Sequence, residues 1–507
     1  MLFEQVARTS AQVAQTAGKK KKTELLAALL REVPPEERAV AARYLSGEIG
    51  HKTGIGYSTV GTLRGQIAPA ASATLTLAEV DRRFAAIAAL GGAGSGTARK
   101  DTFGALLARA TELEQGFLGA ITVGELRQGA LDALVVDALA LATGMPAKPV
   151  RTAYMLAGDI GVIAEAALGE GAAGIARFGL TLFRPVLPML AQTADDAAQA
   201  LETLGGPAAL EWKLDGFRVQ IHKDGDIVRA FSRRLNEVTA TVPEVIAAVR
   251  ALPAQRLVLD GEALAYNEDG RPLPFQDTMR RKSEDAGGGL ALSLFDALLV
   301  DDHTLLAHPA RERFAALGEL APQLVVPRLV TGDVAEAQAF YDRAVGSGHE
   351  GVMAKALDSP YDAGNRGAAW LKIKKVRRLD LVILAAEWGS GRRKGWLSNL
   401  HLGARDPAAG GFVMLGKTFK GLTDATLAWQ TAEFLAREVD RDGHIVFVRP
   451  ELVAEIAFND VQRSSTYPGG FALRHARLVR YRSDKTVAEA DTIDAVRAIA
   501  IADGVIR

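Results

Sequence analysis

The chain has 507 residues, equal numbers of acidic and basic side chains, and no cysteine. The length predicts about three domains. The absence of cysteine excludes disulfides, thiolate metal sites and a cysteine nucleophile. With a formal net charge of zero, binding to a polyanion must depend on local basic patches. No apolar run approaches about eighteen residues and the chain start lacks a signal-peptide pattern, so we expect a cytoplasmic protein without a membrane span.

The first region, residues 1–182, is helical in pattern. It is rich in alanine and leucine with few β-branched runs, as in 130–141, which predicts an all-α domain. The lysine run 19–22, which we expect to precede a helix, is either a solvated charge run or a contact to a phosphate backbone. The glycine cluster 91–97 lacks the lysine and the preceding strand of a P-loop, so we predict a flexible connection between helices there.

The character of the sequence changes twice more. Pro185 and Pro188 end the helical pattern, and short strands then alternate with short helices up to residue 376. This alternation predicts an α+β domain. From residue 377 the strands are short and separated by glycine-rich turns. Closing such strands into a small β-barrel removes exposed sheet edges, so we predict a barrel for 377–507.

The segment 211–218 places Lys213 two residues before Asp215, between two strand-like stretches. Alone, this pair is typical of a surface turn and contributes little to stability. Five further stretches of the α+β region also place charged or aromatic residues where strands are predicted to end, and a basic cluster lies near the C-terminus. These stretches are 231–234, 259–263, 295–296, 350–355 and 370–375, and the basic cluster runs from Arg474 to Lys485.

These residue types suit a bound nucleoside triphosphate. Lys213 is a candidate nucleophile, because cations such as Lys372 and Lys374 would favour its neutral amine and neutralise phosphate charge. Glu262 and Glu350 are candidate Mg²⁺ ligands, with a ribose hydroxyl as the alternative partner of Glu262. The residue Phe295 offers a face for a purine. Each has an ordinary alternative: solvated carboxylates, an edge strand protected by lysines, and a core phenylalanine.

The ordered motifs from Lys213 to Lys485 resemble those of the covalent nucleotidyltransferases, which include DNA ligases, RNA ligases and mRNA capping enzymes. The helical region, including 124–129 and 154–161, resembles the DNA-binding domain of ATP-dependent DNA ligases, which capping enzymes lack. The resemblance spans nearly the whole chain. It implies a multidomain protein with an all-α DNA-binding domain (1–182), an α+β adenylation domain (183–376) and an OB-fold β-barrel (377–507).

The resemblance also implies an activity and a role for each motif. The enzyme would seal 5′-phosphate/3′-hydroxyl nicks in duplex DNA through lysyl-AMP and adenylated DNA, in replication, repair or recombination. Lys213 would carry AMP, Glu211 would recognise adenine, and Phe295 would pack on the base. The other implied roles are ribose contact or support of the nucleotide site by Arg218, Arg233 and Glu262, metal binding by Glu262 and Glu350, phosphate binding by Arg366, Lys372 and Lys374, and pyrophosphate orientation by Arg477, Arg480, Asp484 and Lys485.

The implied cofactors are ATP and Mg²⁺, with Mn²⁺ as the alternative ion, and the implied partner is nicked duplex DNA bound by a monomer. Two features depart from the family pattern. His475 and Ala476 stand where an aromatic residue and proline are common, which leaves the roles of Arg474 and Arg477 open. The connection 375–380 is short, which predicts a hinge near Asp380. The alternatives are an RNA ligase, a GTP-using mRNA capping enzyme, or a nick-binding DNA protein with an inactive nucleotide site.

Overall fold

The computed structural model describes residues 1–126, 128, 132–273, 278, 289–362, 368–390, 393–502 and 505–506. Its helices and strands form three successive regions, which are helical, mixed and strand-rich. The predicted order of an all-α domain, an α+β domain and a β-rich C-terminal domain is therefore confirmed. Within the described residues, no helix combines the length and the apolar character needed to cross a bilayer.

The helical region buries one continuous core. Its described helices are α1 (Phe3–Gln15), α2 (Lys19–Glu32), α3 (Arg38–Ser46), α4 (Tyr57–Gln66), α5 (Leu77–Ala89), α6 (Ser95–Ala108), α7 (Glu112–Thr122), α8 (Asp132–Thr143), α9 (Ala147–Ala157) and α10 (Ile160–Ala176). Phe3 meets Tyr44 and Phe117 edge to face, at ring-centroid distances of 6.3 and 5.6 Å. Aromatic pairs in this geometry stabilise a core beyond their buried area.

Two details of this region bear on the sequence expectations. The glycine cluster 91–97 connects two helices only in its first part: α5 ends at Ala89 and α6 begins at Ser95, so residues 91–94 lie in the connection and residues 95–97 form the start of α6. The lysine run, in contrast, lies inside α2 and does not precede it. Lys22 is buried, and its Nζ donates to the carbonyl oxygen of Gln128 at 2.8 Å. At least this lysine has a structural partner within the domain.

The mixed region contains two five-stranded sheets. Its strands are β1 (Gln192–Ala194), β2 (Ala208–Trp212), β3 (Phe217–Asp224), β4 (Ile227–Ser232), β5 (Arg256–Leu264), β6 (Ala291–Val300), β7 (His303–Thr304), β8 (Arg328–Thr331), β9 (Gly351–Ala356) and β10 (Trp370–Lys374), and its described helices are α11 (Ala197–Leu204), α12 (Pro243–Arg250), α13 (Ala310–Leu320) and α14 (Val334–Gly346). The strand orders are β1-β10-β9-β2-β8 and β4-β3-β5-β6-β7. All pairs are antiparallel except β1 with β10.

The two sheets enclose an apolar layer. Val258 and Leu298 of the second sheet belong to the same buried cluster as Trp370 of the first. Helices α11 and α14 pack on the first sheet, and α12 and α13 pack on the second. Each sheet therefore has one face against helices, while the other lies toward the partner sheet, where a cavity can form between them.

Two buried polar side chains hold the connection between the helical and mixed regions against β3. The Phe183 N–H donates to Nδ1 of His222 at 2.9 Å, and Val186 exchanges two hydrogen bonds with the Gln220 amide at 2.8 and 3.1 Å. Because Nδ1 accepts a hydrogen bond, the neutral ring carries its proton on Nε2, which lies 3.0 Å from Oε1 of Gln220. Burial lowers the pKa of His222 to about 4.

The C-terminal region is built around one long strand. Its elements are β11 (Arg377–Trp388), β12 (Leu397–Arg405), β13 (Phe412–Thr418), β14 (Glu438–Asp442), β15 (Ile445–Val448), β16 (Val453–Phe458), β17 (Val461–Arg463), β18 (Phe471–Leu473), β19 (Arg477–Tyr481), α15 (Asp424–Ala436) and α16 (Ile493–Ala502). β15 and β16 lie end to end along one edge of β11. β14 continues the sheet from β15 and β19 continues it from β16. The sheet thus divides into two arms at β11. The described strand pairs do not close it into a complete ring, and we call this region the barrel after its OB-fold class.

The connection between the mixed region and the barrel is shorter than the sequence suggested. β10 ends at Lys374 and β11 begins at Arg377, so only Lys375 and Val376 lie between them. Asp380, where we expected a hinge, lies inside β11 and accepts bonds from Arg482 at 2.9 Å and Lys485 at 2.5 Å. A hinge at this connection must therefore use residues 375–376, because Asp380 is fixed within the barrel.

The buried histidine predicts a pH dependence of stability. The unfolded chain binds a proton at His222 near the ordinary pKa of 6.5, whereas the folded chain does so only near 4. Since the unfolded state binds more protons between these values, the free energy of unfolding falls as pH drops through this window. Between pH 7 and pH 5 we expect a loss of about 2 kcal/mol, reduced in His222→Gln. Thermal unfolding at pH 7 and pH 5 measures this, and equal losses in both proteins would contradict it.

A second prediction concerns the ion pair of Arg313 and Asp296. Both side chains are fully buried, and Arg313 Nε lies 2.7 Å from Asp296 Oδ1. We expect Arg313→Met to destabilise the mixed region by about 3–5 kcal/mol, because it leaves a buried carboxylate without its cation. The matched control is Arg256→Met at an exposed pair with Asp302, which should cost less than about 1 kcal/mol. Denaturant unfolding measures the free energy of unfolding of both variants. Similar losses of stability in the two would contradict the view that burial makes the Arg313–Asp296 pair the more important one.

Candidate active site

A cavity of about 530 Å³ opens between the two sheets of the mixed region and is bounded on one side by the barrel. Most of the residues singled out from the sequence meet there. The charged and histidine side chains that line it are Glu211, Lys213, Asp215, Arg218, Arg233, Glu262, Glu350, Lys355, Lys372, Lys374, Arg474 and His475. Residues from more than 250 positions apart in the chain, Asp215 and Arg474, are in direct contact.

The Glu350 carboxylate bridges two lysines in this cavity. Its Oε2 lies 2.5 Å from Lys213 Nζ and 2.8 Å from Lys374 Nζ. Burial alone would raise the pKa of Glu350, but the two ammonium groups hold that pKa well below its usual range. The carboxylate is therefore ionised at neutral pH and keeps two like charges close together.

The backbone explains why Lys213 and Glu350 meet. The chain continues past β2 alongside the start of β9, so that the Lys213 N–H donates to Gly351 O at 2.8 Å and the Glu350 N–H donates to Lys213 O at 3.2 Å. Gly351 has φ +139°, and a Cβ there would lie 2.1 Å from the Ile373 carbonyl oxygen. Only glycine fits this approach, which accounts for a glycine immediately after Glu350.

Glu262 occupies a second buried position beside the lysine. The Gly216 N–H donates to its Oε1 at 3.1 Å. Burial raises the pKa of Glu262 to about 7, against the opposing charges of Lys213 and Arg218. Gly216 is also sterically required, because a Cβ there would lie 2.4 Å from the Ala263 carbonyl oxygen. The K-x-D-G sequence thus seats a lysine and a carboxylate at one cavity wall.

At the other end of the cavity the Glu211 carboxylate is buried between two cations. Arg328 Nη2 and Lys355 Nζ each lie 2.6 Å from one of its oxygens. Phe295 and Met353 also line the cavity and supply apolar surface there. This end can accept a flat apolar ring next to a single anionic acceptor.

Arg218 is held mainly by protein groups. Its guanidinium donates to Asp260 at 3.0 and 2.6 Å and to the Met189 carbonyl oxygen at 2.7 Å, and its Nη2 lies 3.3 Å from the Tyr361 hydroxyl. Such a bidentate pair fixes the side chain in one orientation. Arg218 still lines the cavity, so its fixed charge can act on a ligand.

The barrel contributes Arg474 and His475. The Arg474 guanidinium donates to Asp215 Oδ2 at 2.7 Å, and its Nη1 lies 3.7 Å from Glu350 Oε1. His475 has φ +57° and lines the cavity mouth. Of the two residues that depart from the aromatic–proline pattern, His475 lines the cavity and Ala476 does not. Asp215 and Arg474 join the barrel to the wall that carries Lys213.

Four predicted residues are not at the cavity. Arg480 pairs with Glu455 at 2.7 Å, Asp484 pairs with Arg482 at 2.7 Å, and Lys485 pairs with Asp380 at 2.5 Å, all within the barrel. Arg477, at the start of β19, is exposed and does not line the cavity either. Arg366 lies outside the described residues.

The sequence reasoning missed three residues of the base end: Arg328, Met353 and Lys355. A signal existed for two of them, because Met353 and Lys355 alternate along β9 and therefore share a face with each other. Nothing in the sequence pointed to Arg328, which does not line the cavity itself but contacts Glu211 through the pairing of β8 with β2, where it stands opposite Glu211.

Comparisons with known proteins agree across the chain. Three family models match it: DNA ligase N terminus at residues 57–140, ATP dependent DNA ligase domain at 188–374, and ATP dependent DNA ligase C terminal region at 393–485. A protein of Anaeromyxobacter dehalogenans (strain 2CP-C) named "Probable DNA ligase" is 56% identical over 510 residues, which cover 98% of this chain and 99% of the relative.

A second relative, from Beutenbergia cavernae and also named "Probable DNA ligase", is 53% identical over 514 residues, with 99% of this chain and 100% of the relative covered. Among solved structures, one titled "Pmar-Lig_PreS3" matches with a TM-score of 0.62 and 18% identity, covering 94% of this chain and 99% of that one. The structural match extends the similarity of fold through all three regions.

Proposed function

The chain belongs to the ATP-dependent DNA ligases, and on that premise we propose how its own residues perform the reaction. Members of this family seal nicks in duplex DNA through a lysyl-AMP intermediate and take AMP from ATP. Family membership selects the DNA ligase over the RNA ligase, the capping enzyme and the inactive nick-binding protein. The observation that carries the proposal is the contact of Lys213 with Glu350 and Lys374 inside a cavity of nucleotide size.

Lys213 is the nucleophile of the first step. Its deprotonated Nζ attacks the α-phosphorus of ATP, an N–P bond forms, and the bond to the pyrophosphate oxygen breaks. Lys374, together with Lys372, neutralises the negative charge of the phosphates. In the absence of nucleotide, Glu350 is the counter-charge of Lys374. Phosphoryl transfer asks the protein chiefly for alignment and charge neutralisation, which these fixed cations provide.

Base and ribose are bound on the side of the cavity remote from Lys374. Phe295 and Met353 pack on the adenine, and Glu211 accepts from its edge. Arg218, Arg233 and Glu262 support the ribose and, after transfer of AMP, the DNA 5′-phosphate. Arg366 adds a phosphate contact from the part of the chain that the structure leaves undescribed.

A divalent cation fits the donor set of this cavity. Glu262 and Glu350 are hard oxygen ligands on adjacent walls, and Mg²⁺ commonly keeps several waters while using one or two carboxylates and a substrate phosphate. Among the described residues no ready-made cluster of three ligands is present, which suits an ion that arrives with the nucleotide. When bound, Mg²⁺ or Mn²⁺ supplies charge neutralisation at the phosphates.

The barrel serves the steps in two orientations. In the orientation described here it presents Arg474, whereas Arg477, Arg480, Asp484 and Lys485 point elsewhere. We assign this orientation to the DNA steps. Departure of pyrophosphate requires the group formed by Arg477, Arg480, Asp484 and Lys485. This group reaches the cavity when the barrel rotates about Lys375 and Val376. We place the domain boundaries at 182/183 and 376/377.

We further propose that the ligase is a cytoplasmic monomer that acts on nicked duplex in replication, repair or recombination. The helical region holds the duplex and the other two regions complete the enclosure, because sealing needs both strand ends aligned at one site. No charge excess favours binding over the whole surface, so the affinity for DNA should fall with salt according to the local phosphate contacts.

Self-labelling tests the assignment of the nucleophile. The wild-type protein incubated with α-labelled ATP and Mg²⁺ should become labelled, and Lys213→Arg, which keeps the charge but not the nucleophile, should not. Chelation of the metal should abolish labelling. The control is Lys223→Arg, because Lys223 is also buried but donates to the Arg250 and Leu252 carbonyls away from the cavity. Retention of label by Lys213→Arg would sink the assignment.

Two barrel variants test the two orientations. Arg474→Ala should slow sealing of a pre-adenylated nick by about 10–100-fold, because it removes a charged bond to Asp215, and should change self-adenylation by less than about threefold. Lys485→Ala should show the reverse pattern. Single-turnover rates of self-adenylation and of sealing are measured separately for each variant. If either variant slowed the two steps equally, the proposal that each orientation of the barrel serves a different step would be wrong.

A further inference from the structure

The base end of the cavity contains more positive charge than a structural ion pair needs. Lys355 is 1% exposed, and its Nζ binds Glu211 at 2.6 Å and lies 3.3 Å from the Phe295 carbonyl oxygen. Arg328 binds the same carboxylate at 2.6 Å and also lies 3.3 Å from the Phe295 carbonyl oxygen. Lys355 and Arg328 thus both bind the Glu211 carboxylate, and both also bind the backbone of Phe295 beside it.

The burial of Lys355 requires an explanation. A buried ammonium is destabilising unless it is paired and bonded, and burial lowers the pKa of Lys355 while Glu211 opposes that change. Two aromatic rings stabilise this positive charge by cation–π contacts. The Nζ of Lys355 lies 4.7 Å from the ring centroid of Phe295 and 4.2 Å from that of Trp370. The surroundings are therefore built to keep Lys355 charged beside Glu211, although a neutral apolar residue would fill the same space.

The position of Glu211 along its strand fixes what it can contact. Residues two apart on a strand share a face and lie about 7 Å apart. Glu211 and Lys213 consequently face the same cavity, with Lys213 at the phosphate end and Glu211 at the end where Phe295 offers its ring. A nucleotide whose α-phosphate meets Lys213 brings the edge of its base toward Glu211.

The two purines differ at that edge. Adenine carries an amino group that donates where guanine carries a carbonyl oxygen that accepts. An ionised carboxylate only accepts, so it binds adenine and repels guanine, whereas a protonated or amide side chain can donate to the guanine oxygen. The discrimination depends on the cations that donate to the Glu211 carboxylate, which is 2% exposed and has Arg328 on one oxygen and Lys355 on the other.

We propose that Lys355, with Arg328, determines the preference for ATP over GTP by donating to both oxygens of Glu211 and so holding its carboxylate as an acceptor. Lys355 is a positioning residue, since it acts through Glu211. The inference rests on the proposed function, because it takes the cavity to be the nucleotide site. Loss of a hydrogen bond to a charged group corresponds to a change of about 10–100-fold in selectivity.

The experiment compares self-labelling of the full chain by α-labelled ATP and α-labelled GTP, with kcat and KM measured for each. Lys355→Met keeps the volume and removes the charge, and it should lower the ratio of ATP to GTP labelling efficiency by about 10–100-fold. Lys355→Arg keeps the charge and should retain the ratio. The matched control is Lys223→Met, a buried lysine on β3 that does not line the cavity, whose ratio should equal that of the wild type.

The variant Glu211→Gln separates action through Glu211 from a general structural role. It should lower the ratio by itself, and adding Lys355→Met to it should lower the ratio no further. If Lys355→Met does not fold, Glu211→Gln and the double variant, which strands no buried ammonium, carry the test.

Equal loss of ATP and GTP labelling in Lys355→Met, or an unchanged ratio in Glu211→Gln, would overturn the inference. So would an additive effect in the double variant. A wild-type protein that neither nucleotide labels would refute the proposed function itself, and the inference with it. A labelled wild type with an unchanged ratio in Lys355→Met refutes the inference alone.

Discussion

The whole site depends on one antiparallel contact, in which the chain around Lys213 runs beside the chain around Glu350. Two backbone hydrogen bonds fix it, and Gly351 is the residue that allows the approach. The consequence is a carboxylate that holds two ammonium groups within hydrogen-bonding distance, which like charges would not otherwise tolerate. A phosphate that enters between the lysines replaces this carboxylate as their counter-charge, so the cations are arranged before substrate arrives.

Sequence reasoning found the residues whose chemistry is visible in their own neighbourhood. Lys213, Glu262 and Phe295 each stand in or directly after a short strand pattern. The expectation that they mark strand ends holds for Lys213, which follows β2, but is wrong for Phe295, which lies in the middle of β6 and lines the cavity from the face of the sheet. Sequence reasoning could not find Arg328, because its role comes from the pairing of β8 with β2, a contact across 117 positions of sequence. Pairing between strands distant in sequence is a property of the fold as a whole.

Other misses have similar local reasons. The lysine run in the first turn of α2 is unfavourable in the field of the helix N-terminus, so a boundary after it seemed reasonable; the contact of Lys22 with Gln128 stabilises the longer helix. A hinge was expected near Asp380 because the connection 375–380 is short. The ion pairs of Asp380 with Arg482 and Lys485 place it inside the barrel instead, and no periodicity in the sequence distinguishes these two situations.

The connection of two residues between the barrel and the mixed region limits how the barrel can travel. Lys375 and Val376 contain four soft backbone torsions in all, so the rotation that we propose for the barrel has to be made by these torsions. A tether of two residues keeps the basic residues of the barrel close to the cavity, which raises their effective concentration there. The Lys375 N–H also donates to the Glu350 carbonyl oxygen at 3.0 Å. The proposed rotation would therefore act directly on the residue that pairs with Lys213.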